Sequence, residues 1–135
     1  MAPAARGVSA QVTKAAGPLI YIVDDDDAVR DSLRLLLEVH GMTVEDFGST
    51  AEFSAAERHH PRACLILDLH LPVMGGLEYL ASRPKEAARL PVIVVTGRSD
   101  EASKARALEL GAVDFLEKPV DQRELLPAIG RALDE

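Results

Sequence analysis

The order of short apolar runs along the chain constrains the fold more than any other feature of the sequence. Runs of four or five residues dominated by Val, Ile and Leu alternate with segments whose apolar residues recur at helical spacing. Short continuous apolar runs are typical of strands buried on both faces. Strands that alternate with helices predict one parallel sheet with helices on both sides, an α/β fold. The predicted strands are residues 19–23, a weaker run at 43–47, 64–67, 92–95 and 113–116.

Cap and stop residues divide the segments between these strands into helices. After the first strand, apolar residues recur at i, i+4, i+7 and i+8 from Val29 to Leu37, which places them on one helix face. Asp27 stands where an N-cap belongs, and Gly41 is a plausible stop. The other helices are predicted from the capping-box pair Ser49 and Glu52, over residues 76–81 and 99–110, and from the pair Asp121 and Glu124 to near the C-terminus.

Length, charge and cysteine content exclude several classes of protein. A chain of 135 residues corresponds to about one domain, and the Ala- and Gly-rich residues 1–17 are predicted to be a flexible N-terminal tail. The net charge of −7 argues against a nucleic-acid-binding surface. The single cysteine, Cys64, excludes an internal disulfide framework. No apolar run approaches the length of a membrane span and no signal peptide is present, so we expect a cytoplasmic protein without membrane contact.

Acidic residues follow two of the predicted strands. The first strand ends in four consecutive aspartates, residues 24–27, and the third ends at Asp68. If these parallel strands are neighbours, Asp24, Asp25 and Asp68 converge at the carboxyl edge of the sheet, where ligands bind in such folds. Carboxylates this close repel one another, and a divalent cation relieves the repulsion. Oxygen ligands without His or Cys favour Mg²⁺.

The remaining strand ends supply the other groups of a phosphoryl-transfer site. Thr96 follows the fourth strand and Lys118 follows the fifth. A hydroxyl and an ammonium group beside Mg²⁺ can bind and neutralise phosphoryl oxygens, which leaves a carboxylate as the nucleophile. Asp68 is the best candidate nucleophile, because it follows a fully apolar strand and precedes a loop that we expect to be exposed.

Four segments at these strand ends carry a resemblance to a known family. They are residues 22–25 (IVDD), 68–76 (DLHLPVMGG), 94–97 (VVTG) and 111–119 (GAVDFLEKP). In this order they resemble the receiver domain of the two-component response regulators, and most closely its FixJ-like subgroup. The resemblance implies a receiver domain over residues 18–135 with the flavodoxin-like (βα)5 fold. In that fold a doubly wound parallel sheet has five strands in the order 2-1-3-4-5.

The resemblance also implies a role for each site residue. Asp68 would be the phosphoryl acceptor, and Thr96 and Lys118 would contact the phosphoryl group. Phe115 matches an aromatic position that turns inward on activation, so Phe115 and Thr96 are the expected switch residues. The Lys118–Pro119 bond is expected to be cis. The implied Mg²⁺ ligands are Asp24, Asp25, Asp68 and the backbone carbonyl of His70.

The function implied by the resemblance is phosphorelay signalling. A sensor histidine kinase or a histidine phosphotransfer protein would donate the phosphoryl group, and the surface formed by the last two helices and the strand between them would change. That surface carries mixed charges and could form a phosphorylation-dependent homodimer or a partner site. The domain would catalyse only its own phosphorylation and dephosphorylation, so it is not expected to be an enzyme with a separate substrate.

Three alternative functions are less consistent with the sequence. A phosphatase of the haloacid-dehalogenase type normally has a second Asp two residues after the nucleophile, where this chain has His70. A flavin- or nucleotide-binding domain would need a loop rich in Gly or Ser/Thr after the first strand, and four aspartates there would repel phosphate. A degenerate receiver that serves only as an interaction platform is disfavoured, because all five expected side chains are present.

Two features depart from the usual family pattern. His70 stands where the family more often has Arg, Met or Asn, and its side chain would border the path of an attacking water. FixJ-like relatives usually carry a C-terminal DNA-binding domain, whereas this sequence stops after its fifth helix. It is therefore either a stand-alone receiver or part of a longer regulator.

Overall fold

The sheet has the predicted parallel topology. A computed structural model describes residues 17–56, 62–84, 87–98 and 100–134. The strands are β1 (Leu19–Val23), β2 (Thr43–Phe47), β3 (Ala63–Asp68), β4 (Val92–Thr96) and β5 (Asp114–Glu117). All neighbouring pairs are parallel, in the order β2-β1-β3-β4-β5, which confirms the predicted 2-1-3-4-5 arrangement. Except for Gly17, the predicted N-terminal tail lies outside the described residues.

The described part of the chain contains five α-helices, of which four connect successive strands and the last follows β5. They are α1 (Asp27–Val39), α2 (Thr50–Ala55), α3 (Gly76–Ser82), α4 (Glu101–Glu109) and α5 (Gln122–Leu133), with a short 3₁₀ helix at Ala87–Arg89. None of the helices in the described ranges has the length and apolar character needed to cross a membrane. Helix α4 begins two residues later than predicted, and β5 is shifted by one residue.

Side-chain caps fix where the helices begin. The N-cap of α1 is Asp26, whose carboxylate accepts hydrogen bonds from the backbone N–H groups of Ala28 and Val29. The prediction that Asp27 would be the cap was therefore wrong by one residue. The other predicted caps, Ser49 and Asp121, each accept a backbone N–H of the helix that follows. These caps satisfy N–H groups that have no partner within the helix.

Successive side chains of β1 point to opposite faces of the sheet, and the core therefore has two layers. Leu19, Tyr21 and Val23 face the layer covered by α2, α3 and α4. Ile20 and Ile22 face the layer covered by α1 and α5. Because both faces of the central strands are buried, these strands contain almost only apolar residues until they reach the carboxyl edge. The first polar side chains therefore occur where the strands leave the core.

The close approach of α3 to β3 predicts opposite effects of the same substitution at two glycines. A Cβ at Gly76 would lie 2.8 Å from the backbone oxygen of Asp68. A Cβ at Gly130, on the exposed side of α5, would meet nothing within 4 Å. Gly76→Ala is therefore expected to lower the free energy of unfolding by about 1–3 kcal/mol. Gly130→Ala is expected to raise it by about 0.5–1 kcal/mol.

Chemical denaturation of the two variants measures both effects. Gly130→Ala is the matched control, because it makes the same chemical change in a helix without a steric clash. Equal shifts of the two variants in the same direction would contradict the close packing of α3 on the end of β3.

Candidate functional site

Two acidic residues lie side by side at the carboxyl edge of the sheet. Strands β1 and β3 are hydrogen-bonded neighbours, with Val23 opposite Leu67. The next residues, Asp24 and Asp68, are therefore adjacent as well. Both are buried, with exposed fractions of 1% and 4%. A buried carboxylate is costly unless its oxygens are compensated, so the surrounding contacts determine what this site can do.

Each of the two carboxylates is held by the backbone of its own loop. Asp24 Oδ1 accepts the N–H of Asp26 at 2.9 Å. Asp68 Oδ1 accepts the N–H of His70 at 3.1 Å. The same local turn, in which an aspartate binds the N–H two residues later, thus orients both side chains and leaves their Oδ2 atoms available.

The ammonium group of Lys118 lies between these remaining oxygens. Its Nζ donates a hydrogen bond to Asp68 Oδ2 at 3.2 Å and lies 2.8 Å from Asp24 Oδ2. The contact with Asp24 is an ion pair. Asp24 Oδ2 is buried, so this ammonium group compensates a carboxylate oxygen that is shielded from water. Lys118 follows β5, and its backbone N–H donates to the carbonyl of Thr96 at 2.8 Å.

Burial and charge shift the pKa values of this pair. Burial raises the pKa of the Asp68 carboxyl, and the nearby Asp24 carboxylate adds to the rise, while His70 N–H and Lys118 oppose it only in part. Burial lowers the pKa of Lys118, but its contacts with Asp24 and Asp68 outweigh this effect, so the pKa is raised overall. Lys118 is thus a charged partner for oxygen anions, whereas Asp68 lies in a site with excess negative charge.

The acidic cluster fits a hard divalent cation. Asp24, Asp25 and Asp68 each offer a carboxylate oxygen, and the three oxygens lie within 4.8 Å of one another. Asp25 is exposed, so the cluster opens to solvent on one side. Three carboxylates with one ammonium leave negative charge uncompensated, and the donor set contains only oxygen. These properties suit Mg²⁺.

The hydroxyl of Thr96 does not point into this cluster. Thr96 is fully buried at the end of β4, and its Oγ1 donates to the backbone carbonyl of Arg98 at 2.9 Å. The N–H of Arg98 donates back to Oγ1 at 3.1 Å. The structure therefore brings together Asp24, Asp25, Asp68 and Lys118 as predicted, but holds the Thr96 hydroxyl in a separate turn.

Comparisons with known proteins identify the family. The family model of the response regulator receiver domain matches residues 20–130. The chain belongs to the response regulator receiver domain family. Its curated relatives include the transcriptional regulatory protein FixJ of Azorhizobium caulinodans, which is 40% identical over 114 residues, 84% of this chain and 54% of that protein. This chain spans about half the length of the curated relatives it matches.

Solved receiver structures share the fold. The crystal structure of FixJ-N is 34% identical, with a TM-score of 0.76 over 88% of this chain and 95% of that chain. A CheY-like receiver domain protein from Methanospirillum hungatei is also 34% identical, with a TM-score of 0.79 over 87% of this chain and 94% of that chain. The resemblance to FixJ-like receivers is thereby confirmed.

Phe115, the predicted switch residue of this receiver, lies in the edge strand β5 and is not a member of the acidic cluster. It is half-buried in β5 and lines a surface groove together with Asp100, Lys104 and Glu124. The Lys118–Pro119 peptide bond, which follows this strand, is cis as expected. The groove joins the start of α4, the strand β5 and the start of α5.

Sequence reasoning missed two backbone contacts of the receiver site. Arg30 of α1 donates to the backbone carbonyl of Asp24 at 2.6 Å and pairs with Asp46 of β2, which anchors the acidic loop. The Arg98 carbonyl accepts the Thr96 hydroxyl. Both acceptors are main-chain atoms, which every residue carries. The side-chain pattern therefore contained no signal for them.

Proposed function

We propose that this receiver accepts a phosphoryl group on Asp68 from a phosphohistidine of a sensor histidine kinase or a histidine phosphotransfer protein. The observation that carries the proposal is the position of Asp68, which lies beside Asp24 with the ammonium of Lys118 on its free oxygen. Membership of the receiver family supports the same partners and the same reaction class.

In the proposed transfer, an oxygen of Asp68 forms a bond to phosphorus. The P–N bond of the phosphohistidine breaks, and the imidazole leaves with the bonding electron pair. The product on this chain is an acyl phosphate, so no separate substrate is turned over. Lys118 already contacts the acceptor oxygen, and it can neutralise charge on the incoming phosphoryl oxygens.

Asp24, Asp25 and Asp68, with the backbone carbonyl of His70, would hold Mg²⁺ in this site. When bound, the ion supplies charge neutralisation for the phosphoryl oxygens. The chain's own contribution is to fix the ligands. The backbone N–H groups of Asp26 and His70 orient two of the carboxylates, and Arg30 holds the loop that carries the third.

The phosphoryl group would also reorient Thr96. In the resting state its hydroxyl donates to a neutral carbonyl, a contact with a net value of about 0.5–1.5 kcal/mol. A phosphoryl oxygen is a charged acceptor, for which a hydrogen bond contributes about 1.5–3 kcal/mol. The difference favours movement of Thr96 toward Asp68. It is small enough to shift an existing equilibrium rather than to build a new fold.

Movement of Thr96 would free space for Phe115 to turn inward. Thr96 lies on β4 and Phe115 on β5, and these two strands are paired. The surface formed by α4, β5 and α5 would then change and control an output or a partner. Charges of both signs line this surface, which suits a phosphorylation-dependent homodimer or a partner protein.

The proposed function predicts the uptake of one phosphoryl group from a small donor. With acetyl phosphate and Mg²⁺, intact mass spectrometry is expected to show one added phosphoryl group per chain. With a chelator in place of Mg²⁺, the uptake is expected to be lost, because repulsion in the acidic cluster is no longer relieved. No uptake in Mg²⁺, or equal uptake in the chelator, would contradict the proposal.

Activation is predicted to spread beyond the acidic cluster. Beryllofluoride with Mg²⁺ occupies a phosphoryl site without forming an acyl phosphate, so its effect can be followed at equilibrium. Backbone NMR shifts are expected to change over residues 96–110 and 113–118, because Thr96 and Phe115 reorient. Changes confined to the loops around Asp24 and Asp68 would show that the site binds the mimic without altering the α4–β5–α5 surface.

A further inference from the structure

The side chain of His70 links two loops of the receiver site. His70 lies in the loop after β3, and its ring Nε2 is 3.2 Å from the backbone carbonyl of Arg98, which lies in the loop after β4. A carbonyl oxygen can only accept a hydrogen bond, so the imidazole must contribute an Nε2–H. The contact spans 28 positions in the sequence, and it therefore couples the ends of two neighbouring strands.

The carbonyl that His70 contacts is also the resting partner of Thr96. Thr96 Oγ1 donates to Arg98 O at 2.9 Å, while Arg98 N–H donates to Thr96 Oγ1 at 3.1 Å. Two donors from different loops thus converge on one oxygen. The buried Thr96 hydroxyl points toward that oxygen.

This convergence distinguishes the contact from an ordinary surface hydrogen bond. His70 is exposed, and an isolated exposed contact would have little consequence for the rest of the protein. Here the residue that accepts the hydrogen bond, Arg98, also contacts the Thr96 hydroxyl through both its carbonyl and its N–H. A shift of the Arg98 backbone therefore moves both hydrogen-bond partners of the Thr96 hydroxyl.

We propose that His70 is a positioning residue for Thr96, which it holds in the resting orientation by fixing the Arg98 carbonyl. The contact itself is a property of the unphosphorylated protein. Its consequence rests on the proposed function, in which Thr96 must leave that carbonyl to reach a phosphoryl group on Asp68. Loss of the His70 donor then favours the active state.

The resting contact is tested first without metal or phosphoryl mimic. Amide hydrogen exchange of Arg98 is expected to be about two- to tenfold faster in His70→Met, the range expected for loss of one neutral hydrogen bond. His70→Gln places an N–H donor at a similar reach and is expected to restore slow exchange. Imidazole ¹⁵N shifts of the wild type are expected to show a proton on Nε2.

His40→Met is the matched control for these variants. The His40 ring also lies against a backbone carbonyl, that of Leu36 at 2.9 Å, but at the end of α1 and away from the site. It is expected to leave Arg98 exchange unchanged. Unchanged exchange in His70→Met, or a His70 ring protonated only at Nδ1, would overturn the proposal.

The consequence is tested with beryllofluoride and Mg²⁺ as the activating probe. His70→Met is expected to bind the probe about two- to tenfold more tightly than the wild type. In this variant, less of the binding free energy of the probe is used to move Thr96 away from the Arg98 carbonyl. His70→Gln is expected to return toward the wild-type affinity, and His40→Met to match it. Faster exchange without tighter binding would overturn the positioning role.

The two measurements separate this proposal from the proposed function. If the wild type does not bind beryllofluoride, the proposed phosphoryl site is wrong. The exchange experiment then still decides whether His70 fixes the backbone of Arg98. If the wild type binds the probe and His70→Met changes neither exchange nor affinity, only the role of His70 is wrong.

Discussion

Replacement of Asp68 by Asn is expected to abolish phosphoryl uptake from acetyl phosphate. The amide retains the shape of the side chain and an oxygen that can accept the His70 N–H. It lacks the anionic oxygen that forms the bond to phosphorus, so no acyl phosphate can form. Intact mass spectrometry in the presence of Mg²⁺ measures the effect as complete loss of the added phosphoryl group.

Asp121→Asn provides the control for this substitution. Asp121 is the N-cap of α5, where Asn caps as well as Asp, and it takes no part in the acidic cluster. This variant is expected to accept a phosphoryl group like the wild type. Persistence of uptake in Asp68→Asn would show that another residue is the acceptor.

The double variant Asp24→Asn, Asp25→Asn is expected to lose most of its Mg²⁺ affinity. Two unit charges 4 Å apart interact by about 1 kcal/mol even in bulk water, so a divalent ion gains about 4 kcal/mol from two carboxylates. That difference corresponds to a loss of affinity of about a thousandfold. Isothermal titration calorimetry of the wild type and the variant with MgCl₂ measures the change.

Asp26→Asn is the control for the metal site. Asp26 belongs to the same run of four aspartates, but its carboxylate caps α1, and Asn can replace it as a cap. It is expected to bind Mg²⁺ with nearly the wild-type affinity. Wild-type affinity in the double variant would exclude Asp24 and Asp25 as the main ligands.

The sequence predicts the fold and the acidic cluster because both depend on strong local patterns. The apolar runs of β1 and β3 can be buried only in the middle of a sheet, and each ends directly in an aspartate. Once these strands are neighbours, Asp24 and Asp68 must meet. Lys118 reaches them because β5 is parallel to the other strands.

The details that sequence reasoning missed depend on the main chain. Either Asp26 or Asp27 could cap α1, and the choice depends on where the backbone first becomes helical. Val73 has a φ of 69° although it is β-branched and fully exposed, a conformation that its side chain disfavours and that the sequence does not indicate. The Arg98 carbonyl that holds Thr96 is likewise set by the path of the loop.

Chemical mapping of the phosphorylated residue tests the central claim most directly. After incubation with acetyl phosphate and Mg²⁺, reduction with borohydride converts an aspartyl phosphate to homoserine, and peptide mass spectrometry locates the change. We expect homoserine at position 68 and unmodified aspartate at positions 24 and 25. A phosphoryl group that survives reduction on a serine or threonine, or homoserine at another position, would contradict the assignment of Asp68 as the phosphoryl acceptor.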